Sequence, residues 1–217
     1  MTEKNKVKKT AVKEQVKKPQ EKSTQNKSKD NKTKILRNFL IICGAIIILV
    51  IAGYFYIESI KSFDYQGVNF KTIQEGELIL YQTSVPFALE GGILVPYNFY
   101  LRTNPRNLQK VEFETSEFKL MKNAAISFKD EFDCDGDEII AVANLAQLHE
   151  TLGITLIRDE NATCDPRYAF LSLQSSNKTY IEEIGDSCYI IHINDCEILP
   201  ATERYMLEMF VAYQDLV

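Results

Sequence analysis

Phe39–Ile57 reads FLIICGAIIILVIAGYFYI, 19 residues with neither a charge nor a proline. At about 1.5 Å per residue a helix of this length spans roughly 28 Å, close to the hydrocarbon thickness of a bilayer. A helix buried in a soluble core is rarely apolar on every face for so long. Tyr54 and Tyr56 stand near one end, where amphipathic rings favour the membrane interface, and Arg37 precedes the other. A cleaved signal peptide fits poorly. The apolar run exceeds a typical signal core, 34 residues come before its flank, and bulky Tyr54-Phe55-Tyr56 follows the Ala52-Gly53 pair. The stretch predicts an uncleaved transmembrane helix over 35–57.

Working outward, the charge of the chain divides at this span. Residues 1–34 hold 12 Lys against 4 acids, a net +8. Residues 58–217 hold 12 basic against 26 acidic side chains, a net −14. With Arg37 alone between them, the formal total is −5. That split excludes a soluble globule with evenly mixed charge, and it excludes nucleic acid as a partner of the outer domain. The tail over 1–34 has too little apolar surface to offset chain entropy and is predicted to be disordered. Lys32, Lys34 and Arg37 precede the span, whereas Glu58, Lys61 and Asp64 follow it. By the positive-inside rule the tail is cytoplasmic and 58–217 is an extracytoplasmic domain on the cell membrane.

Cysteine usage points the same way. Cys43 lies in the span, and Cys134, Cys164, Cys188 and Cys196 all lie in the outer part. Four cysteines without a Cys-x-x-Cys spacing, in an oxidising compartment, predict two disulfides. If Ala125–Phe128 and Ile154–Ile157 are parallel neighbours, Cys134 and Cys164 leave one edge of the sheet, which favours a 134–164 bridge and leaves 188–196. Yet an extended chain from Cys188 to Cys196 spans roughly 26 Å, too far to bridge unless it turns within His192–Asp195. The two arguments conflict, and the connectivity stays open. Asn161-Ala-Thr163 and Asn177-Lys-Thr179 are glycosylation sequons on the same side.

The outer domain reads as α+β or α/β, with a β-rich first half, then a β-α-β second half and a C-terminal helix. Tyr65–Phe70, Glu77–Gln82, Ile93–Leu101, Lys110–Glu114 and Ala125–Phe128 have strand character, and Pro96 confines its run to an edge. Ser62–Gln66 reads as a short connector. Ala141, Leu145, Leu148 and Leu152 recur at helical spacing, with Gly153 just past the end. Ile154–Ile157 follows at once, so this helix joins two parallel strands. Tyr168–Leu173, Thr179–Ile181 and Cys188–Ile193 are further strands, and a helix from about Ala201 to Tyr213 closes the chain.

Few side chains suggest chemistry. Asp130–Glu138 holds six carboxylates around Gly136, so Asp133, Asp135 and Asp137 are candidate cation ligands, because Ca²⁺ takes six to eight oxygens. The calcium-loop pattern fails six residues after the glycine, where Val142 is apolar. A solvated turn that caps the next helix is the simpler reading. Arg102 and Arg106 around Pro105 are candidate anion ligands, although on so acidic a domain they serve first to neutralise nearby carboxylates. His192 alternates with Ile191 and Ile193 and should face away from the core. No Gly-x-Ser-x-Gly elbow, Ser-x-x-Lys or Gly-rich phosphate loop occurs, and no cofactor is implied.

Three strings carry a resemblance: Phe63-Asp-Tyr-Gln-Gly-Val-Asn-Phe70, Tyr97-Asn-Phe-Tyr-Leu-Arg-Thr-Asn-Pro-Arg106, and Cys188-Tyr-Ile with Asp195-Cys-Glu-Ile-Leu. They resemble uncharacterised archaeal single-pass membrane proteins with a basic N-terminal tail and an external disulfide-containing domain. The resemblance implies an anchor and an external surface, and no activity. The reading is therefore a membrane-anchored extracytoplasmic binding or assembly module. Its partners are the lipid bilayer and other membrane or cell-surface proteins. An accessory or sensor subunit of a larger membrane complex is the alternative. An extracytoplasmic enzyme ranks below both, because no acid, base and nucleophile set is visible.

Overall fold

The computed structural model describes residues 24–88, 92–115 and 118–214. The chain divides into two compact units, Met1–Phe55 and Tyr56–Val217. The apolar run forms most of helix α1, Thr24–Lys61. Within it Lys34–Tyr56 has a mean hydropathy of 2.6 and is the only candidate membrane span among the described residues. Ile48 and Leu49 are 67% and 71% exposed, a display of apolar surface that suits lipid rather than water. Residues 24–34 of the tail, predicted to be disordered, are part of helix α1. Once the apolar run has nucleated a helix, propagation through Lys, Asn and Ser is cheap. Residues 1–23 lie outside the described residues.

In the second unit, strands β1 (Ser62–Tyr65), β2 (Val68–Glu75), β3 (Leu78–Ala88) and β4 (Leu94–Leu101) form an antiparallel sheet in chain order. The expected connector Ser62–Gln66 is thus a strand and half a turn. Gln66 and Gly67 both take positive φ, at 54° and 81°, as a tight hairpin of primed type requires. β4 is the edge strand that Pro96 predicts.

A 3-10 helix, Pro105–Lys110, leads to a six-stranded mixed sheet. Its strands are β5 (Glu112–Glu114), β6 (Asn123–Phe128), β7 (Thr155–Arg158), β8 (Ala169–Ser175), β9 (Tyr180–Gly185) and β10 (Cys188–Ile193). The order is β5-β9-β10-β8-β6-β7. Strands β7, β6, β8 and β10 run parallel, while β9 opposes β10 and is parallel to β5. Helix α2 (Asp137–Thr151) joins β6 to β7, which makes the expected β-α-β unit. Helix α3 (Ile198–Gln214) closes the domain and starts three residues earlier than its apolar pattern suggests.

Helix α3 lies between the sheets. Its Phe210 packs 5.6 Å from Phe99 of β4, and its Tyr205 packs 5.6 Å from Tyr189 of β10. Buried residues therefore occur on nearly every face of this helix, from Ile198 and Ala201 to Leu207 and Met209. Both sheets deliver alternate residues to the same core, Phe70, Phe99 and Leu101 from one and Ile126, Leu171 and Ile191 from the other.

The disulfides are Cys134–Cys196 and Cys164–Cys188, with Cα atoms 5.3 and 5.6 Å apart. Neither is the pairing favoured from sequence. β6, β8 and β10 are parallel, so Cys134 beyond β6 and Cys196 beyond β10 leave the same edge of the sheet. The connection 159–168 returns the chain from the end of β7 to the start of β8. It carries Cys164 to the opposite edge, where Cys188 opens β10. Gly185 fits this second bridge closely, since a Cβ there would lie 2.9 Å from Cys164 Sγ.

Candidate functional site: an apolar groove beside the acidic loop

Helix α2 has apolar residues on more than one face. Ala141, Leu145 and Leu148 are fully buried against the core. A second stripe, Ile139, Val142, Ala143 and Ala146, follows the same i, i+3, i+4, i+7 spacing on the outer side. Ile139 is 69% exposed, and Ala143 and Ala146 are also exposed. These four residues floor an open groove of about 630 Å³. Phe128 and Arg158 from the ends of β6 and β7, Phe132 of the acidic loop, and Ile198 of α3 also line it. The groove sits at the carboxyl ends of the parallel strands β6 and β7.

Asp130, Glu131 and Glu138 are the carboxylates that line it, and Arg158 is the lone lining cation. Each of two carboxylates already holds a backbone donor: Ser175 N–H donates to Asp130 (2.7 Å) and Cys134 N–H to Glu138 (3.1 Å). Arg158 donates to Glu160 (2.9 Å), and its guanidinium lies 4.7 Å from the Phe128 ring centroid. That pairing, with the Phe128 N–H bond to the same carboxylate, holds Glu160 below its ordinary pKa. The groove is thus apolar inside and negative at its margin, with its cation already engaged.

The structure separates the residues singled out from sequence. Arg102 donates to Asp137 at 3.0 Å, and Arg106 lies over the Phe63 ring at 4.5 Å; neither lines the groove. Among the described residues no three His, Cys, Asp or Glu side chains converge as a metal site. Asp133 and Asp135 are exposed, and Asp137 is taken by Arg102. The loop also does not cap α2 with a side chain. Gly136 occupies the N-cap at φ 91° after Asp135 at φ 53°, while Asp137 and Glu138 supply negative charge to the first turn. Asn161 and Asn177 are both exposed.

His192 does face away from Ile191 and Ile193. Its ring stacks on Tyr180 at 4.1 Å, with Nε2 3.2 Å from Glu182 and Nδ1 3.2 Å from the Gln174 amide. His149 is buried with Nδ1 2.7 Å from the Leu145 carbonyl, and burial lowers its pKa. Two features escape a sequence reading that follows one stripe per helix. The outer stripe of α2 is one. Glu203 is the other: 1% exposed, it accepts from Arg102 N–H (2.6 Å) and Thr103 N–H (2.9 Å) and so ties α3 to the end of β4. Burial raises its pKa. The apolar residues on all sides of Glu203 are the signal that marks it as interior.

No family model, no curated protein and no solved structure matches this chain.

Proposed function

We propose that this chain is a single-pass membrane-anchored binding or assembly module whose docking surface is the groove over α2. The N-terminus is cytoplasmic and residues 58–217 are outside, because the positive flank precedes the span. Two disulfides in the domain support that side, since such bridges persist in oxidising compartments. The observation that carries the reading is the outer stripe of α2. A helix needs one apolar stripe to pack, and a second left open to solvent beside a charged margin is typical of interaction sites. An accessory subunit is the same reading with the partner fixed in a larger membrane complex, and the tail over 1–34 would then add a cytoplasmic contact.

A photo-cross-linking amino acid at Ala143, compared with one at exposed Ile184 on β9, tests this in intact cells. The reading predicts a discrete adduct from position 143 that Ile139→Asp abolishes, and none from 184. Equal adducts from both positions, or none from 143, would overturn it.

A further inference from the structure

Resting on that docking reading, we infer that the groove takes a short apolar peptide segment flanked by Lys or Arg side chains. The floor argues for a chain rather than a compact molecule. Ile139, Val142, Ala143 and Ala146 form a shallow strip along one helix, with small residues at its centre, open to solvent. An extended or helical segment can lay alternate apolar side chains along such a strip. The margin argues for its charge. Asp130, Glu131 and Glu138 line the same groove, and Asp133 and Asp135 of the same loop are exposed. Arg158 adds no free cation because Glu160 and the Phe128 ring already hold it. Glu131 is exposed at this margin. An acidic peptide would meet like charge there, which costs affinity and slows encounter.

Two other occupants fit less well. A second copy would bring the same carboxylates face to face, on domains that each carry −14. The chain's own Lys-rich tail has the right charge, but large apolar side chains are nearly absent from it, and it precedes the span. The apolar floor would gain little from it.

The absence of Trp from this protein permits a direct test. The full chain, reconstituted in nanodiscs of zwitterionic lipid, is titrated against Trp-bearing peptides. One has Leu at i, i+3, i+4 and i+7 with Lys flanks, one has the same Leu residues with Glu flanks, and one keeps Lys but replaces Leu by Ser. The Leu–Lys peptide should give a saturable fluorescence shift that salt weakens. The other two should bind at least about tenfold more weakly. Ile139→Asp should cost at least about tenfold although it adds a negative charge, which separates apolar docking from simple attraction. Glu131→Lys should weaken the Lys-flanked peptide and strengthen the Glu-flanked one.

Equal binding of Lys- and Glu-flanked peptides, or binding that Ile139→Asp leaves intact, would overturn the inference. Binding that emerges only on removing residues 1–23 would assign the groove to the tail. Loss of binding on self-association of the protein would assign it to a second copy. Either result rejects the proposed occupant. The cross-link at position 143 distinguishes the levels. If it forms while these peptides fail to discriminate, docking stands and the basic partner falls. If it also fails, both fall.

Discussion

The two apolar stripes of α2 are close in sequence and unlike in fate. Ala141, Leu145 and Leu148 disappear into the core, whereas Ile139, Ala143 and Ala146 remain open on the other side of the same helix. The first stripe is explained by folding, since it packs between the sheets beside α3. The second contributes nothing comparable to stability, because little of it leaves water when the chain folds. That leaves an apolar surface open to the docking proposed above. The contrast can be broken by substitution, and four predictions do so in order of expected size.

Leu145→Asp places an unpaired charge in the core and should cost more than about 4 kcal/mol. Ile139→Asp should stay within about 0.5 kcal/mol of the parent, as surface changes usually do. Urea denaturation followed by tyrosine near-UV dichroism measures both, and comparable losses would erase the distinction between the stripes.

Replacing Cys134 and Cys196 by Ser opens a bridge between residues 62 apart, and the chain-entropy relation gives a loss of about 4 kcal/mol. This bridge also anchors the acidic loop, so peptide binding should fall with stability. Replacing Cys164 and Cys188 opens a separation of 24 and should cost about 3.5 kcal/mol. Its site is at the opposite sheet edge, so groove binding by the folded protein should persist.

The pH dependence is smaller and tests only the buried side. His149 has a folded pKa below its ordinary 6.5. The unfolded state therefore takes up its proton first as pH falls. Its stability contribution is complete above about pH 6.5 and is lost as pH drops through the folded value. Glu203 has a folded pKa above its ordinary 4.5, so the native state holds its proton longer. Its contribution is complete below about pH 4.5 and is lost as pH rises through the folded value. Each slope is at most about 1.4 kcal/mol per pH unit. His149→Leu should flatten the first limb and Glu203→Gln the second, in urea titrations across pH 4–8. Neither should alter peptide binding by the folded protein, and a change there would link the groove to the core.

Much of the fold is legible in local pattern. The span follows from Phe39–Ile57, the β-α-β unit from the Ala141–Leu145–Leu148 period ending at Gly153, and the edge position of β4 from Pro96. The disulfide pairing is not legible, because it depends on the direction in which 159–168 recrosses the sheet. That return is long-range geometry, and the spacing of Cys134 and Cys164 does not contain it. The site is half legible. Asp130–Glu138 is conspicuous as a charge run, but its role as one margin of a groove depends on Phe128, Arg158 and Ile198, which the sequence scatters. The floor is missed by following one stripe per helix, although Ile139-Ile-Ala-Val-Ala143 is apolar on too many faces for a helix packed on only one.

A partner that covers the outer stripe of α2 in the cell must shield Ala143 there and leave it open in the purified protein. Cysteine introduced at Ala143 and, separately, at Ile184, then labelled with a membrane-impermeant maleimide, tests this directly. In the purified full chain both positions should label rapidly. On intact cells position 184 should still label, which places the domain outside, while position 143 should be protected and become reactive when the membrane complex is dissociated. Equal labelling of 143 and 184 on intact cells would contradict the account.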